Sequence, residues 1–504
     1  QPYYEKDLQE GRITREEARY YLAAFLINDP VYWQLGGPDK NGTDQASEIS
    51  FLILEAADMI NTSLNITIRV HDGMNEDLFN KGLEYLIKNK NAWPRFSGDK
   101  ALVNGFMKNG FDVETARQRI AVGCNWMSLP GMEYTLNDLV KVNMAKVFEV
   151  ACNELMATRG ERSTKKLWEK FSVHLEKAVH TAAEGIRHHL AYQKYNEPEL
   201  ILNLLSHGPI EKGRDVSDGG ARYYNLAIDG AGLAVVADSL AALEQRIEDE
   251  QKISWEEVFF HVQSNFEEPE GERIRSLLSN SDRFGQGETR ADRWAEKINN
   301  LFGQLVRGES EPSKNHLFIP GFFSWANTIG FGKTVHATPN GRKSQQPISH
   351  GANPNPGFVR DAASLALATS IARIQPGYGN TAPMQWELDP GMATMENKEL
   401  IGSIIKAHFE MGGTLINVNI MDKKKVLEAH ADPSKYPDLY TGDIYVLVVS
   451  FYKEFMGGIP EDISFPTLIS GYVFAREIPG SRIYRIPIVG LIFRFFRRSL
   501  AEKR

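Results

Sequence analysis

Residues 64–70 read Leu64-Asn65-Ile66-Thr67-Ile68-Arg69-Val70, in which apolar and polar side chains alternate along the chain. A period of two places successive side chains on opposite faces, which predicts a β-strand. The stretches on either side, from Glu48 to Met59 and from Asn75 to Lys88, carry apolar residues at the spacing of amphipathic helices. Because helices and strands alternate, the sequence predicts an α/β fold with a largely parallel sheet.

Patterns of the same kind extend along the rest of the chain. Thr14 and Glu17 have the spacing of a capping box, which predicts the start of a helix. Residues 415–420 alternate and predict another strand, whereas residues 136–155, 164–192 and 228–310 have helical spacing. Residues 312–360 are rich in Gly, Pro and Asn and predict a long loop region.

Composition excludes several classes of protein. The 504 residues are 42% hydrophobic and 24% charged, which is typical of a globular chain. The net charge of −8 argues against nucleic acid or an anionic membrane as the main partner. No run of 18 apolar residues occurs, so no transmembrane helix is predicted. Two cysteines, Cys124 and Cys152, are too few for a disulfide framework and favour a cytoplasmic location.

Cys124 is the residue with the most reactive setting. It follows the apolar stretch Ala121-Val122-Gly123, and the glycine lets another backbone approach the thiol closely. A buried structural cysteine is the alternative, and Cys152, in the middle of a helical pattern, fits that description. No C-x-x-C or H-E-x-x-H pattern is present, so no metal site is predicted.

Seven short segments carry a resemblance to a known family. They are Pro2-Tyr3-Tyr4-Glu5-Lys6-Asp7-Leu8, Leu35-Gly36-Gly37-Pro38-Asp39, Asn65-Ile66-Thr67-Ile68-Arg69-Val70-His71, Val122-Gly123-Cys124, Ala337-Thr338-Pro339-Asn340-Gly341-Arg342-Lys343, Gly413-Thr414-Leu415-Ile416-Asn417-Val418-Asn419 and Pro433-Ser434-Lys435-Tyr436-Pro437-Asp438-Leu439. In this order they resemble segments of the glycyl radical enzymes, the family of pyruvate formate-lyase and the radical diol and choline lyases. Each match is modest, but the ordered set is specific.

The resemblance implies a ten-stranded α/β barrel of two antiparallel five-stranded halves. Family members carry a substantial segment before the part that matches Gln1, so the barrel is expected to be partly incomplete. Two domains are implied: a pyruvate formate-lyase-like barrel domain at residues 1–380, lacking its N-terminal part, and a glycine radical domain at residues 381–504 with an atypical tail. In the family, one loop bearing a cysteine and another bearing a glycine meet inside the barrel.

The resemblance also implies a radical chemistry. A radical-SAM activating enzyme would install a radical on a glycine Cα, where the flanking amides delocalise it. Cys124 would then become a thiyl radical that abstracts a hydrogen atom from the substrate. No permanently bound cofactor is expected. The expected partners are a small-molecule substrate, the activating enzyme and a second copy of the chain in a homodimer.

The segment around Cys124 departs from the family in one respect. Many radical eliminases have Cys-x-Glu, in which the glutamate acts as a base, whereas this chain has Cys124-Asn125-Trp126. The nearest carboxylate is Glu133. An indole at position 126 suits an apolar substrate, as in fumarate-adding enzymes, or fills space.

The radical glycine is a second departure. Gly442, in Thr441-Gly442-Asp443, lies close to the place that the family layout implies, although a turn is the alternative for this tripeptide. Gly471, in Ser470-Gly471-Tyr472, has the better local match but lies farther downstream. A damaged or frameshifted C-terminal segment would explain both features.

The substrate pocket and the function remain as hypotheses at this point. Residues 381–387 correspond to a strand end that lines the family's cavity, and the alternate residues Gln385 and Glu387 would face the substrate. The leading hypothesis is a glycyl radical enzyme, a lyase or acyltransferase, that cleaves or forms C–C or C–X bonds in a small molecule. The alternatives are a fumarate-adding enzyme and an inactive fragment that only binds a partner or ligand.

Overall fold

The architecture is built from short strands that alternate with helices. In the computed structural model the described residues are 1–29, 32–61, 64–122, 126–323, 328–355, 364–422, 424 and 428. They all belong to one compact unit, Gln1–Gly457. The strands among them are β1 (Trp33–Leu35), β2 (Ile66–Val70), β3 (Arg95–Gly98), β4 (Ile120–Val122), β5 (Trp126–Ser128), β6 (Glu133–Asn143), β7 (Tyr223–Ala231), β8 (His316–Gly321), β9 (Met384–Leu388) and β10 (Leu415–Ile420).

Helices connect these strands and cover one side of the sheets. The α-helices among the described residues are α1 (Pro2–Gln9), α2 (Arg15–Asn28), α3 (Glu48–Ile60), α4 (Glu76–Asn89), α5 (Asp99–Lys108), α6 (Val113–Arg117), α7 (Met144–Ala157), α8 (Thr164–Asn196), α9 (Leu200–Leu205), α10 (Pro209–Lys212), α11 (Leu233–Leu243), α12 (Trp255–Gln263), α13 (Gly271–Ser279), α14 (Arg290–Gly308), α15 (Thr328–Lys333), α16 (Ser364–Arg373) and α17 (Lys398–Glu410). None of these helices combines the length and the hydrophobicity that crossing a bilayer requires.

The strands form a five-stranded sheet in the order β1-β2-β3-β10-β9, a three-stranded sheet β6-β7-β8 and a hairpin β4-β5. β1, β2 and β3 are parallel to one another, and β9 is parallel to β10. The two groups join antiparallel at β3 and β10, where Ser97 lies opposite Leu415. The three-stranded sheet is parallel throughout. The α/β class and the antiparallel junction of two parallel halves agree with the expected fold.

The ring of strands is not closed within the part of the chain that the structure describes. Eight strands, rather than ten, make up the two larger sheets. Just beyond the end of β8, the Phe322 N–H donates to the Thr381 carbonyl at 3.2 Å, which brings the three-stranded sheet next to the start of β9. The division of the chain at residue 380 stays a prediction, but β9 and β10, which follow it, belong to the same sheet as β1–β3.

The two faces of the sheets differ in polarity. The alternate residues Ile66, Ile68 and Val70 of β2 and Ile416, Val418 and Ile420 of β10 join the large buried core that also contains the helices. The residues between them therefore point to the opposite side, which is called the inner face below. Burial of these apolar side chains stabilises the strands against the helices and leaves the residues between them free to make other contacts on the inner face.

Local sequence signals identified several elements correctly. The Thr14 side chain accepts a hydrogen bond from the Glu17 N–H, and the Glu17 carboxylate accepts one from the Thr14 N–H, so the capping box is confirmed. Helix α3 and strand β10 also begin at the expected residues. The helix expected over residues 136–155 is wrong in its first half, because residues up to Asn143 belong to β6 and pair with β7. Strand β7 and strand β8 likewise lie in stretches expected to be helix or loop.

Candidate active site

The candidate thiol belongs to the connection between two paired strands. β4 and β5 are antiparallel, and Val122 lies opposite Trp126. Residues 123–125 lie between these two positions in the sequence, and they are outside the described residues, Cys124 included. The positions of Val122 and Trp126 are described, and they show which parts of the fold flank Cys124.

The hairpin β4-β5 lies on the inner face of the three-stranded sheet. Ala121 and Met127 belong to one buried apolar cluster with Leu317 and Ile319 of β8. Leu317 and Ile319 alternate with Phe318, which belongs to the helix-side core, so the hairpin packs on the face that points away from the helices.

The five-stranded sheet contacts the hairpin from the other side. Gln34 of β1 accepts a hydrogen bond from the Ala121 N–H at 3.0 Å and donates to the Arg119 carbonyl at 3.5 Å. Through these two contacts the side-chain amide of Gln34 connects β1, at the edge of the five-stranded sheet, to the backbone at β4. The hairpin is therefore held between the two larger sheets.

A buried ionic cluster supports the base of the hairpin. Asp99, at the start of α5, accepts two hydrogen bonds from Arg69 of β2, from Nε at 2.8 Å and from Nη2 at 2.6 Å. Arg119 donates to the same carboxylate from the residue that precedes β4. Arg69 also donates to the carbonyls of Arg117 and Arg119 at 3.0 and 3.3 Å. The chain entering the hairpin is thus fixed by charge-assisted hydrogen bonds.

The charged groups in this cluster shift one another's pKa values. Burial alone would raise the pKa of Asp99, but the guanidinium groups of Arg119 and Arg69 outweigh it and hold this pKa below its ordinary value. Burial lowers the pKa of Arg119 to about 10, and Asp99 partly opposes this shift. Asp99 is therefore ionised and serves both guanidinium groups, which makes it the residue on which the cluster depends.

Gly37 makes room for this cluster. Its φ is +93°, and a Cβ at this position would lie 2.4 Å from Cδ of Arg69. The positive φ at Gly37 is typical of glycine in a turn. The absence of a side chain at Gly37 also leaves the space that the Arg69 side chain occupies.

Trp126 is accounted for by packing. The residue is 3% exposed, and its ring lies 3.5 Å from that of Phe323 between centroids. Ala227 and Ala231 of β7 belong to the same cluster and leave space for the indole. A direct contact between Trp126 and a substrate stays a prediction.

Glu133 lies at the start of β6 on the inner face. It accepts a hydrogen bond from the amide of Asn225 on β7. Burial raises the pKa of Glu133 to about 8, and hydrogen bonds from Asn225 and Ser128 offset only part of this effect. A carboxyl group that is protonated near neutral pH can donate as well as accept a proton, which makes Glu133 a candidate acid or base beside the hairpin.

The raised pKa of Glu133 leads to a prediction about stability. The folded state keeps a proton that the unfolded chain releases, so the stability of the native chain falls as pH rises towards about 8. Glu133→Gln removes this loss. Between about pH 6 and pH 8, we expect the variant to gain roughly 2–3 kcal/mol relative to the native chain, at about 1.4 kcal/mol per pH unit. Denaturant titrations at several pH values measure this difference.

Glu17→Gln provides the control for that experiment. Hydrogen bonds from the backbone and side chain of Thr14 lower the pKa of Glu17, which is exposed on α2. Glu17 is therefore ionised in both states from about pH 6 upward, and the stability difference of this variant should be flat over the same range. A flat difference for Glu133→Gln as well would contradict the assignment of a buried, protonated carboxyl group.

Gln385 and Glu387 are placed together as expected for alternate residues of β9. Met384, Trp386 and Leu388 join the helix-side core, so Gln385 and Glu387 both lie on the inner face. Gln385 is buried. Glu387 is exposed to water. Protein atoms nonetheless surround its carboxyl group and desolvate it, which raises the pKa of Glu387 to about 7, and a hydrogen bond from Asn419 opposes the shift.

The inner face carries many polar groups besides the apolar residues that contact the hairpin. Nine buried polar or charged residues lie there in addition to Glu133 and Glu387, and they come from strands of both sheets. They are Thr67 and Arg69 of β2, Arg95 and Ser97 of β3, Asn225 and Asp229 of β7, Gln385 of β9, and Asn417 and Asn419 of β10. Such a surface can bind a small polar molecule through several hydrogen bonds.

The candidate residues divide into three groups. Cys124, Gly442 and Gly471 lie outside the described residues, so their roles stay predictions. Trp126, Gln385 and Glu387 are described, and the last two share the inner face. The ionic cluster and the two asparagines of β10 were missed, although the period-two pattern of residues 415–420 already placed Asn417 and Asn419 on one face.

Comparison with known proteins gives consistent matches. A family model described as pyruvate formate lyase-like matches residues 1–332. Trans-4-hydroxy-L-proline dehydratase of Clostridioides difficile is 25% identical over 485 residues, covering 87% of this chain and 59% of that protein. (2S)-3-sulfopropanediol dehydratase of Klebsiella oxytoca is 25% identical over 483 residues, covering 87% and 58%. The chain thus spans less than three fifths of the length of these relatives.

A solved structure supports the architecture. The crystal structure of a glycyl radical enzyme from Archaeoglobus fulgidus superposes with a TM-score of 0.79 at 24% identity, covering 90% of this chain and 63% of that one. This likeness confirms the fold that the sequence motifs implied.

Proposed function

Because the chain belongs to the pyruvate formate lyase-like family, we propose that it acts as a glycyl radical lyase or dehydratase on a small polar molecule. The activity would cleave a C–O or another C–X bond by hydrogen abstraction at Cys124. The relatives compared above are named as dehydratases, and this agrees with bond cleavage rather than acyl transfer.

One observation carries this proposal. The hairpin that flanks Cys124 is held between two sheets, by Gln34 on one side and by the apolar β8 cluster on the other, and the inner faces of both sheets carry buried polar residues. An enclosed site limits the access of water and of other reactants to a radical, and polar walls can hold a hydroxylated substrate in one orientation.

The proposed reaction is balanced without an external oxidant or reductant. The Cys124 thiyl takes a hydrogen atom from a carbon that bears a hydroxyl group, forming S–H and a carbon radical. The neighbouring C–X bond then breaks, X leaves as an anion, and the hydroxyl proton is released with it as HX. The product radical takes the hydrogen atom back from the thiol. A hydroxy compound thereby becomes a carbonyl compound and HX, and the thiyl is regenerated.

The same proposal includes the source of the radical. A radical-SAM activating enzyme would place it on Gly442 or, as the second candidate, on Gly471, and no other bound cofactor would be needed. A low cysteine count is consistent with work in a reducing cytoplasm. The homodimer stays a prediction.

The fumarate-adding alternative is not favoured. Such an enzyme would use an apolar substrate, and Trp126 is the only residue that suggested one. The indole is occupied by packing on Phe323, whereas the inner face of the five-stranded sheet carries buried polar residues such as Arg69 and Ser97. The relatives named above are also cleaving enzymes.

Anaerobic activation of the 504-residue chain tests the proposal. The chain is incubated with an activating enzyme of a relative and reductant, and electron paramagnetic resonance detects the glycyl doublet. Diols, such as 1,2-propanediol and glycerol, are then added, and the aldehyde products are measured. A doublet with product formation is the expected result. Absence of both with every activating enzyme would favour an inactive fragment that only binds a ligand.

A further inference from the structure

An open cleft lies at the base of the β4-β5 hairpin. Its volume is about 350 Å³, and it is bounded by the loop that follows β1, at residues 36–45, and by residues 117–120, which lead into β4. Ile120 is the first residue of β4, whereas Cys124 comes after the last one. The cleft therefore lies at the end of β4 opposite the candidate thiol, and it is called the basal cleft below.

The lining of the basal cleft is rich in positive charge. Lys40, Arg69, Arg117 and Arg119 contribute to it, and Asp39 is the one carboxylate among its described lining residues. Lys40 and Arg117 form no ion pair with any described carboxylate. Two of the four cations are therefore left without a counter-ion in the part of the chain that the structure describes.

Arg117 retains most of its hydrogen-bond donors. Among the described residues, its one hydrogen bond runs from Nη1 to the carbonyl of Lys40 at 3.1 Å, and a guanidinium group has five N–H donors. Asp39 does not use them, because its Oδ1 accepts from the N–H groups of Asn41 at 2.8 Å and Thr43 at 2.9 Å. Hydrogen bonds from this loop, above all from Thr43, hold the pKa of Asp39 below its ordinary value. The remaining donors of Arg117 are thus available to a ligand.

The wall of the basal cleft adds a buried excess of positive charge. Arg69 and Arg119 are 4% and 0% exposed and share the single carboxylate of Asp99, so one of their two charges is uncompensated. Nε of Arg119 also lacks a hydrogen-bond partner among the described residues. Because charges interact strongly in surroundings of low dielectric constant, an anion in the cleft would lower the electrostatic energy of this cluster.

The charge and the size of the cleft define the ligand. The planar donors of arginine match the oxygens of a phosphate or carboxylate group, and phosphate brings up to two negative charges. Two charges suit a cleft with two unpaired cations and a further positive excess in its wall. Its volume lies near the lower end of the range for ligand sites, roughly 300–1,000 Å³, which leaves room for a phosphate with a small organic group.

We propose that the basal cleft binds the phosphate group of a small molecule, with Arg117 and Lys40 as its charged contacts. This site goes beyond the proposed radical chemistry, because it lies away from the candidate thiol and requires no turnover. A bound anion would also strengthen the support of the hairpin, since it offsets the repulsion between Arg69 and Arg119.

Isothermal titration calorimetry on the unactivated 504-residue chain tests the site. The ligands are sn-glycerol 3-phosphate and inorganic phosphate, and glycerol is the uncharged comparison. We expect both phosphates to bind at low salt and to bind more weakly as potassium chloride is added, because salt screens the attraction. Glycerol should not displace the phosphate ester, since it lacks the charge that the cleft selects.

Arg117→Gln and Lys40→Gln remove the two charged contacts one at a time. Arg117→Gln should lower the affinity for glycerol 3-phosphate about tenfold, which corresponds to the loss of one charge-assisted hydrogen bond. Lys40→Gln should lower it roughly threefold, because this exposed charge is partly screened by water. Lys165→Gln replaces an exposed lysine of α8 and is the matched control, which should leave the affinity unchanged.

Unfolding midpoints measured without ligand show whether each variant is folded. The Lys40 side chain is exposed, so Lys40→Gln should keep the midpoint of the native chain and allows the test even if Arg117→Gln destabilises the loop. Addition of glycerol 3-phosphate should raise the midpoint of the native chain and of Lys165→Gln more than that of Arg117→Gln, because a ligand stabilises the state that binds it.

The two phosphates separate a free ion from an organic ester. Equal or tighter binding of inorganic phosphate would assign the site to the phosphate group alone, and tighter binding of the ester would add a contact with its organic part; both results support the proposal. It is overturned if neither phosphate binds or if both charge-removing variants keep the native affinity. Displacement of the ester by glycerol would also overturn it, because the ligand would then lie on the inner face.

Discussion

Cys124→Ser is expected to abolish turnover completely while the glycyl doublet remains after activation. The serine hydroxyl has nearly the same size as the thiol, but its O–H bond is much stronger, so the stored glycine radical cannot take its hydrogen atom. Storage of the radical needs only the glycine and its flanking amides. Paramagnetic resonance and product analysis on the same anaerobic sample measure the two quantities together.

The second cysteine supplies the matched control. Cys152 lies on α7, is 4% exposed, and belongs to the helix-side core, where burial raises the pKa of its thiol. Cys152→Ser should cost some stability, because a hydroxyl group replaces a buried apolar sulfur, but should keep turnover. Retained turnover in Cys124→Ser, or its loss in Cys152→Ser alone, would mean that the hydrogen-abstracting thiol has been assigned to the wrong residue.

Asp99→Ala is expected to produce the largest loss of stability, about 3–5 kcal/mol, because it leaves two buried guanidinium groups without their carboxylate. Arg69 and Arg119 are 4% and 0% exposed and share Asp99 as the acceptor. Their mutual repulsion would act directly on the chain that enters the hairpin. Denaturant titration measures the loss in free energy of unfolding, and turnover after activation should fall with it as the hairpin loses its support.

An exposed ion pair between the same residue types serves as the comparison. Asp7 contacts Arg12 at 2.8 Å, and both side chains are well exposed. Asp7→Ala should cost about 1 kcal/mol or less, as exposed pairs do. If Asp99→Ala were no more destabilising than Asp7→Ala, the ionic cluster could not be the support of the hairpin.

Local sequence patterns predicted the elements whose signals lie within a few residues. The alternation in residues 66–70 and 415–420 predicted β2 and β10, and the reciprocal spacing of Thr14 and Glu17 predicted the start of α2. These predictions succeeded because side-chain periodicity follows directly from backbone geometry. The position of Gln385 and Glu387 on one face followed from the same rule.

The same approach failed for the three-stranded sheet. Apolar residues at Leu136, Leu139 and Val140 have helical spacing, yet the segment forms β6. β6 pairs with β7, whose partner residues lie about 90 positions later in the chain, as Thr135 opposite Asn225 illustrates. Pairing over such a distance overrides a local preference, and no window of neighbouring residues contains the information.

By itself the sequence determined the α/β class and the family resemblance, because short motifs and periodicities carry both, and it proposed Cys124 as the candidate thiol. Only the tertiary structure decided that Gln34, Arg69, Asp99 and Arg119 meet at the base of the hairpin, and that the polar residues of both sheets share one inner face. Contacts between residues so far apart in the chain exist only after the strands have paired and the helices have buried their other side, since that packing sets which side chains face each other.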